Sequence, residues 1–180
     1  MSEVLRLTLV AHAMTPAMAA GCFPDDEPLN DFGRRQTGRL DLRGDGRPLC
    51  APELRARQTA ELLGLRPAIE PRLADLDCRR WRGKPTQGVP PEALRTWLTD
   101  PRQAPHGGES IADLVARVAD WLELLTGDPS RTVAVTHPAV IRAAVLHALR
   151  MPAESFWRMD VAPASHVTMH HRRGGWTLRL

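Results

Sequence analysis

Apolar and polar residues alternate from the start of the chain. Leu5, Leu7 and Leu9 share one face of residues 5–10, the period-two pattern of a half-buried strand. Residues 33–42 predict a short helix ended by the glycines at 44 and 46. An extended segment through Leu49 leads to Pro52, a residue suited to a first helical turn, and a helix then runs to Gly64 as its stop. The helical period is clearest from Ser110. Ser110 and Asp113 make a capping box, and Ile111, Leu114, Val115, Val118, Leu122 and Leu125 mark one apolar stripe that ends at Gly127-Asp128-Pro129. A β-branched strand over 132–136 follows, and Pro138 opens a helix through Leu149. Two closing strands, 166–170 and 176–180, flank a Gly174-Gly175 turn. The proline-rich stretches 85–91 and 101–105 read as loops.

Strands alternating with helices predict an α/β fold, a three-layer sandwich with a mainly parallel central sheet. The ligand crevice of such a sheet lies beyond the carboxyl ends of its strands. His12 and His137 each follow the end of a predicted strand and would face that crevice. The 180 residues, 43% hydrophobic and 25% charged, suit one domain over residues 1–180 with its own core. No apolar run reaches the ~18 residues of a membrane span. The start of the chain lacks a signal-peptide pattern, and Cys22, Cys50 and Cys78 form no paired motif, so a reducing cytoplasm is expected. The net charge is +3, with Lys84 as the single lysine. Arginine suits bidentate contact with phosphate, but no basic surface or recognition motif points to nucleic acid. Adjacent His170 and His171 would face opposite sides of a strand, which spoils chelation of a metal.

Four segments carry chemistry at the tips of this sheet: LTLVAHAMT with His12 and Thr15, PELRARQTAELL with Arg55, LADLDCRRWRG with Asp75 and Asp77, and VAVTHPAVIRAAV with His137. A neutral imidazole is a competent nucleophile toward phosphorus. Arginine and a second imidazole can hold the equatorial oxygens, and a carboxylic acid can protonate the leaving oxygen and then activate water. Thr15 is a candidate for ligand contact or a helix cap, and Glu109 a further carboxylate for the site or a charge favoured at a helix start. Asp77 reads as a structural acceptor and Arg57 as a surface residue. Trp81 and Trp97 suit packing, or an apolar substrate wall.

These segments, in this order, resemble the histidine phosphatase superfamily, of phosphoglycerate mutase-like fold. Asp26, Pro28, Leu29, Gly33 and Gln36 resemble its DxPL…G…Q segment, and RARQTA its second phosphate-pocket motif. DLDCRRWRG resembles its ExDFGxWxG loop, HGGES (106–110) the opening of a later helix, and VTHPAVIRA its V-[ST]-HGGVIR segment. The resemblance implies a phosphatase of small phosphomonoesters without metal or organic cofactor. His12 would be the phosphohistidine nucleophile, Arg55 and His137 the phosphate holders, and Asp75 the general acid and base. It implies no nucleic-acid or membrane partner, and a homodimer stays open as an assembly. The chain departs from the pattern at Ala11, where the family has arginine, at Ala13, Cys78 and Arg79, and at Asp75, where it has glutamate. Two expectations follow from Ala11. Either Arg79, Arg80, Arg82 or Arg142 supplies the lost cation, or the domain binds phosphorylated ligands with impaired catalysis.

Overall fold

The computed structural model describes residues 4–38, 40, 42, 46–128 and 130–179. In chain order the elements are β1 (Leu5–Ala11), α1 (Pro16–Ala20), α2 (Asp31–Thr37), β2 (Arg47–Cys50), α3 (Leu54–Leu62), β3 (Ala68–Ile69), α4 (Pro91–Thr99), α5 (Ile111–Leu125), β4 (Thr132–Thr136), α6 (Pro138–Ala148), β5 (His166–Arg172) and β6 (Gly175–Arg179). The described strands form one sheet in the order β3-β2-β4-β1-β5-β6. Its first four strands run parallel, and the closing hairpin β5–β6 is antiparallel. The expected mainly parallel α/β architecture is therefore present, with helices packed around the sheet.

The alternation read at the start holds: Leu5, Leu7 and Leu9 are buried and Arg6 and Thr8 only half-buried. On α5, the stripe residues Ile111, Leu114, Val118, Leu122 and Leu125 are buried, as is Trp121. Ser110 caps this helix by accepting from the Asp113 amide, as the capping box predicts.

The elements the pattern placed poorly were decided by local chemistry. The helix expected over 33–42 is α2, two residues earlier. Asn30 caps it by accepting from the Gly33 amide at 2.8 Å, and it closes at Gly38. Gly44, expected to help end it, lies outside the described residues, as do Pro129 and Leu180 of other expected boundaries. Helix α3 starts at Leu54 rather than Pro52, and Asp26 supplies its cap by accepting from the Leu54 amide. Gly64 follows it with φ +71°, the left-handed conformation that ends helices. Three short elements, α1, α4 and β3, went unread. Pro91 at the first turn of α4 was a legible signal within what reads as a proline-rich loop.

Parallel pairing of β1 with β4 sets the site. Ala11 lies opposite Thr136, and the His12 amide donates to the Thr136 carbonyl at 2.9 Å. The next residue on each strand is a histidine. Sheet geometry therefore sets His12 and His137 side by side, although 125 positions separate them in sequence.

Candidate active site

Beyond these strand ends lies a cavity of about 440 Å³, lined by His12, Arg55, Asp75 and Arg142 among others. The His12 and His137 rings meet edge to face with centroids 5.1 Å apart. His12 Nδ1 lies 2.8 Å from the Ala13 carbonyl, which can only accept, so Nδ1 carries the proton and Nε2 keeps its lone pair. Burial, reinforced by the charges of His137 and Arg55, lowers the His12 pKa to about 3. The imidazole is neutral at physiological pH. The peptide behind it is pinned as well, since the Ala13 amide donates to Thr59 Oγ1 on α3 at 3.0 Å.

Arg55 stands in the first turn of α3, the helix that follows β2. Its side chain is 2% exposed. Nη2 donates to Asp75 Oδ2 at 2.6 Å, while Nε and Nη1 are buried and make no hydrogen bond within the described structure. Unsatisfied buried donors are costly and rare, so a guanidinium held with two of them beside a neutral histidine is prepared for an anion.

Asp75 is brought in by the loop after β3, with Thr136 Oγ1 anchoring that loop through the Leu73 carbonyl. Burial pushes the Asp75 carboxyl up, but His137, Arg55 and His12 together outweigh it and hold it at about 2. It lies 3.4 Å from His137 Nδ1. Glu53, which the sequence reading passed over, completes the cluster. Its Oε2 lies 2.7 Å from His137 Nε2, and its Oε1 accepts from the Asp75 amide at 3.0 Å. These contacts hold Glu53 ionised despite its burial. Its only advance signal was a carboxylate two residues before Arg55 in PELRARQTA.

Of the expected site residues, Glu109 is placed away from the cavity and the Thr15 hydroxyl serves a helix cap. Glu109 does not line the cavity. It forms a two-pronged ion pair with Arg117, at 2.8 and 2.7 Å, and Arg117 also donates to the carbonyls of Arg72 and Ala74. Thr15 is buried beside the site, but its hydroxyl caps α1 by accepting from the Met18 amide. Asp77 is the structural acceptor expected, bound to Arg79 and Arg82. Arg79 carries φ +35°, a conformation that favours glycine. Among the four arginines considered for the cation missing at Ala11, Arg79 pairs with Asp77 and Arg80 donates to the Pro105 carbonyl. Arg82 lines a neighbouring cavity of about 320 Å³. Arg142 alone of these lines the cavity with His12. Its Nε donates to the Met159 carbonyl at 2.8 Å, its guanidinium lies 5.5 Å from the Trp157 ring centroid, and its Nη groups have no partner among the described residues. Trp81 is a packing residue, whereas Trp97 also contributes to the cavity wall. Among the described residues, no group of three or more His, Cys, Asp or Glu could hold a metal ion, and no helix is long and apolar enough to cross a membrane.

Fold and pocket define the class as a phosphomonoester hydrolase of α/β architecture with paired histidines. The chain belongs to the histidine phosphatase superfamily, branch 1, whose family model matches residues 7–180. It is 29% identical over 178 residues to a glucosyl-3-phosphoglycerate phosphatase of Mycolicibacterium vanbaalenii, covering 86% of this chain and 78% of that protein. Among solved structures it is similar to a mycobacterial glucosyl-3-phosphoglycerate phosphatase, with a TM-score of 0.87, 24% identity and 98% of both chains covered. The phosphoserine phosphatase of Entamoeba histolytica shares the fold, with a TM-score of 0.84 and 19% identity over 97% of this chain and 94% of that one.

Proposed function

We propose that this enzyme hydrolyses small phosphomonoesters through a phosphohistidine formed on His12. The observation that carries the reading is a neutral His12 beside Arg55, whose buried Nε and Nη1 make no hydrogen bond within the described protein, Nη1 having only a 4.0 Å ion pair with Asp26. The phosphate of the substrate binds these donors, with Arg142 supplying the second guanidinium that Ala11 does not. His12 Nε2 attacks phosphorus, the phosphorus–oxygen ester bond breaks, and the departing oxygen takes a proton. Asp75 is the donor. It rests as a carboxylate, held so by Arg55 and His137. An arriving phosphate engages that positive charge, and Asp75 then takes up a proton from water and passes it to the leaving oxygen. In the second half-reaction Asp75 removes a proton from water, the resulting hydroxide oxygen joins phosphorus, and the phosphorus–nitrogen bond breaks to release phosphate and neutral His12. The first departing electron pair is met by the proton on Asp75, and the second returns to His12 Nε2 as its lone pair. The proton that Asp75 takes from water goes back to solvent as phosphate leaves, and no cofactor enters.

The test is turnover of a phosphomonoester panel by the wild type and by His12→Ala, together with acid quenching during steady state. Turnover that vanishes in His12→Ala and an acid-labile phosphoenzyme in the wild type are expected. Unchanged turnover in His12→Ala would sink the assignment.

A further inference from the structure

The cavity changes character away from His12. Beyond the charged floor its wall includes Met14, Met18, Phe23, Trp97, Trp157 and Val161. No serine, threonine, asparagine or glutamine side chain lines it among the described residues. Two further carboxylates reach the lining. Glu27 Oε2 accepts from the Asp25 amide at 2.8 Å while its Oε1 is buried with no hydrogen bond, and Asp160 is exposed. Trp157 is the fixed part of this wall. Its ring packs edge-on against Trp97 at 4.6 Å and Phe156 at 4.8 Å, and the Arg142 guanidinium stacks on it. Yet Trp157 is only half-buried, which leaves part of the ring to the cavity.

This chemistry discriminates between organic groups attached to the phosphate. A sugar surrenders water from hydroxyls all round its ring, the wall meets most of them with apolar groups, and each one left without a partner costs affinity. A flat apolar group surrenders no hydrogen bonds and gains contact with a preordered aromatic wall. Resting on the phosphatase reading above, we propose that the substrates are phosphomonoesters with a flat apolar organic part seated against Trp157. Phosphorylated sugars, including the glucosyl-3-phosphoglycerate for which the mycobacterial relatives are named, are then poor substrates.

Leaving-group acidity must not decide the comparison, so the test uses esters of primary alcohols: 2-phenylethyl phosphate against glucose 6-phosphate and glycerol 1-phosphate. We expect kcat/KM for 2-phenylethyl phosphate to exceed that for glucose 6-phosphate by about 10²-fold, the scale on which a mainly apolar wall rejects added hydroxyls. Trp157→Ala lowers the ratio of 2-phenylethyl to glycerol phosphate turnover by about tenfold through KM, and Trp157→Phe restores most of it. Equal or sugar-favouring kcat/KM, or an unchanged ratio in Trp157→Ala, overturns the proposal. Calorimetric binding of the same esters to His12→Ala separates specificity from catalysis. Tighter binding of 2-phenylethyl phosphate supports the aromatic pocket even if the wild type turns over neither ester, a result that would count against the phosphatase reading alone. Equal affinities overturn the pocket assignment whatever the turnover.

Discussion

Glu53 Oε2 lies 2.7 Å from His137 Nε2, and the other oxygen of the same carboxylate accepts from the Asp75 amide. One side chain thus fixes both the ring of the second histidine and the peptide that carries the proposed proton donor. Glu53 is a positioning residue, since the histidine stands between it and the His12 ring. Glu53→Ala should lower kcat by about 10²-fold, the cost of a small displacement of reacting groups, with little change in KM. Glu53→Gln keeps an acceptor for the Asp75 amide and should recover part of the loss. Steady-state kinetics of both variants checks this, and a change confined to KM would contradict it.

Arg142 is the one arginine of the four candidates that reaches the cavity of His12. Arg142→Gln should reduce kcat/KM by about 10²–10³-fold, the usual loss for one strong donor at a developing phosphate charge. Lysine should recover only part of this, because a point charge cannot reproduce the guanidinium fork. Arg79→Ala, which removes an exposed partner of half-buried Asp77, is the control and should retain wild-type kinetics.

The depressed pKa of His12 gives a pH dependence with a definite sign. The unfolded histidine binds its proton near 6.5, the folded one only near 3. Its contribution to stability is therefore complete above pH 6.5 and is lost as pH falls toward 3, at up to about 1.4 kcal/mol per pH unit. Asp75 adds a second loss between 3.8 and about 2. Nuclear magnetic resonance of the His12 ring should show no titration between about pH 8 and 5. An inflection near 6.5 at that ring would contradict its burial as a neutral group.

Glu109 and Arg117 form a brace rather than part of the chemistry. Through Arg117 they tie the start of α5 to the carbonyls of Arg72 and Ala74, next to Asp75. Arg117→Ala should lower unfolding stability by about 2 kcal/mol, a typical loss for charged hydrogen bonds of partly buried groups. Urea midpoints report it, and Glu109→Gln should keep kcat within the wild-type range. A large fall in kcat for Glu109→Gln at unchanged stability would return Glu109 to the site.

Gly33 has a packing role. A Cβ at this position would collide with the Met14 carbonyl oxygen. Gly33→Ala must push apart α2 and the loop that follows His12, at about 1–3 kcal/mol for an overpacked contact. Thermal unfolding should show that loss, accompanied by lower kcat, because Met14 lines the cavity.

Ala11 raised the expectation of a binding domain with impaired catalysis. Its burial explains why the position by itself decides little. Ala11 is fully buried and packed in the core, while a different strand end and helix bring Arg142 to the same cavity. The pattern of hydrophobic positions could not show this, because it reports which face of an element is buried and not which loop crosses it. Trp97 reads from the sequence as a packing or wall residue, but its partner Trp157 escaped notice for the same reason. Trp157 sits in a 3₁₀ turn, Ala153–Arg158, that carries no period, and it meets Trp97 only through packing between distant segments.

The sequence by itself determined the α/β class, the strands that end at His12 and His137, the buried stripe of α5 and the motif order that marks the family. Each of these is local, set by side-chain period, capping chemistry or the residues at one chain position. Tertiary structure alone decided that Arg55 takes Asp75 as its partner, that Glu53 holds His137, that Glu109 turns to Arg117, and that Arg142 faces the cavity. Those outcomes depend on the register of β1 against β4 and on which charges meet after burial. A buried charge takes the partner that packing brings within reach, and no local pattern in the chain specifies that partner.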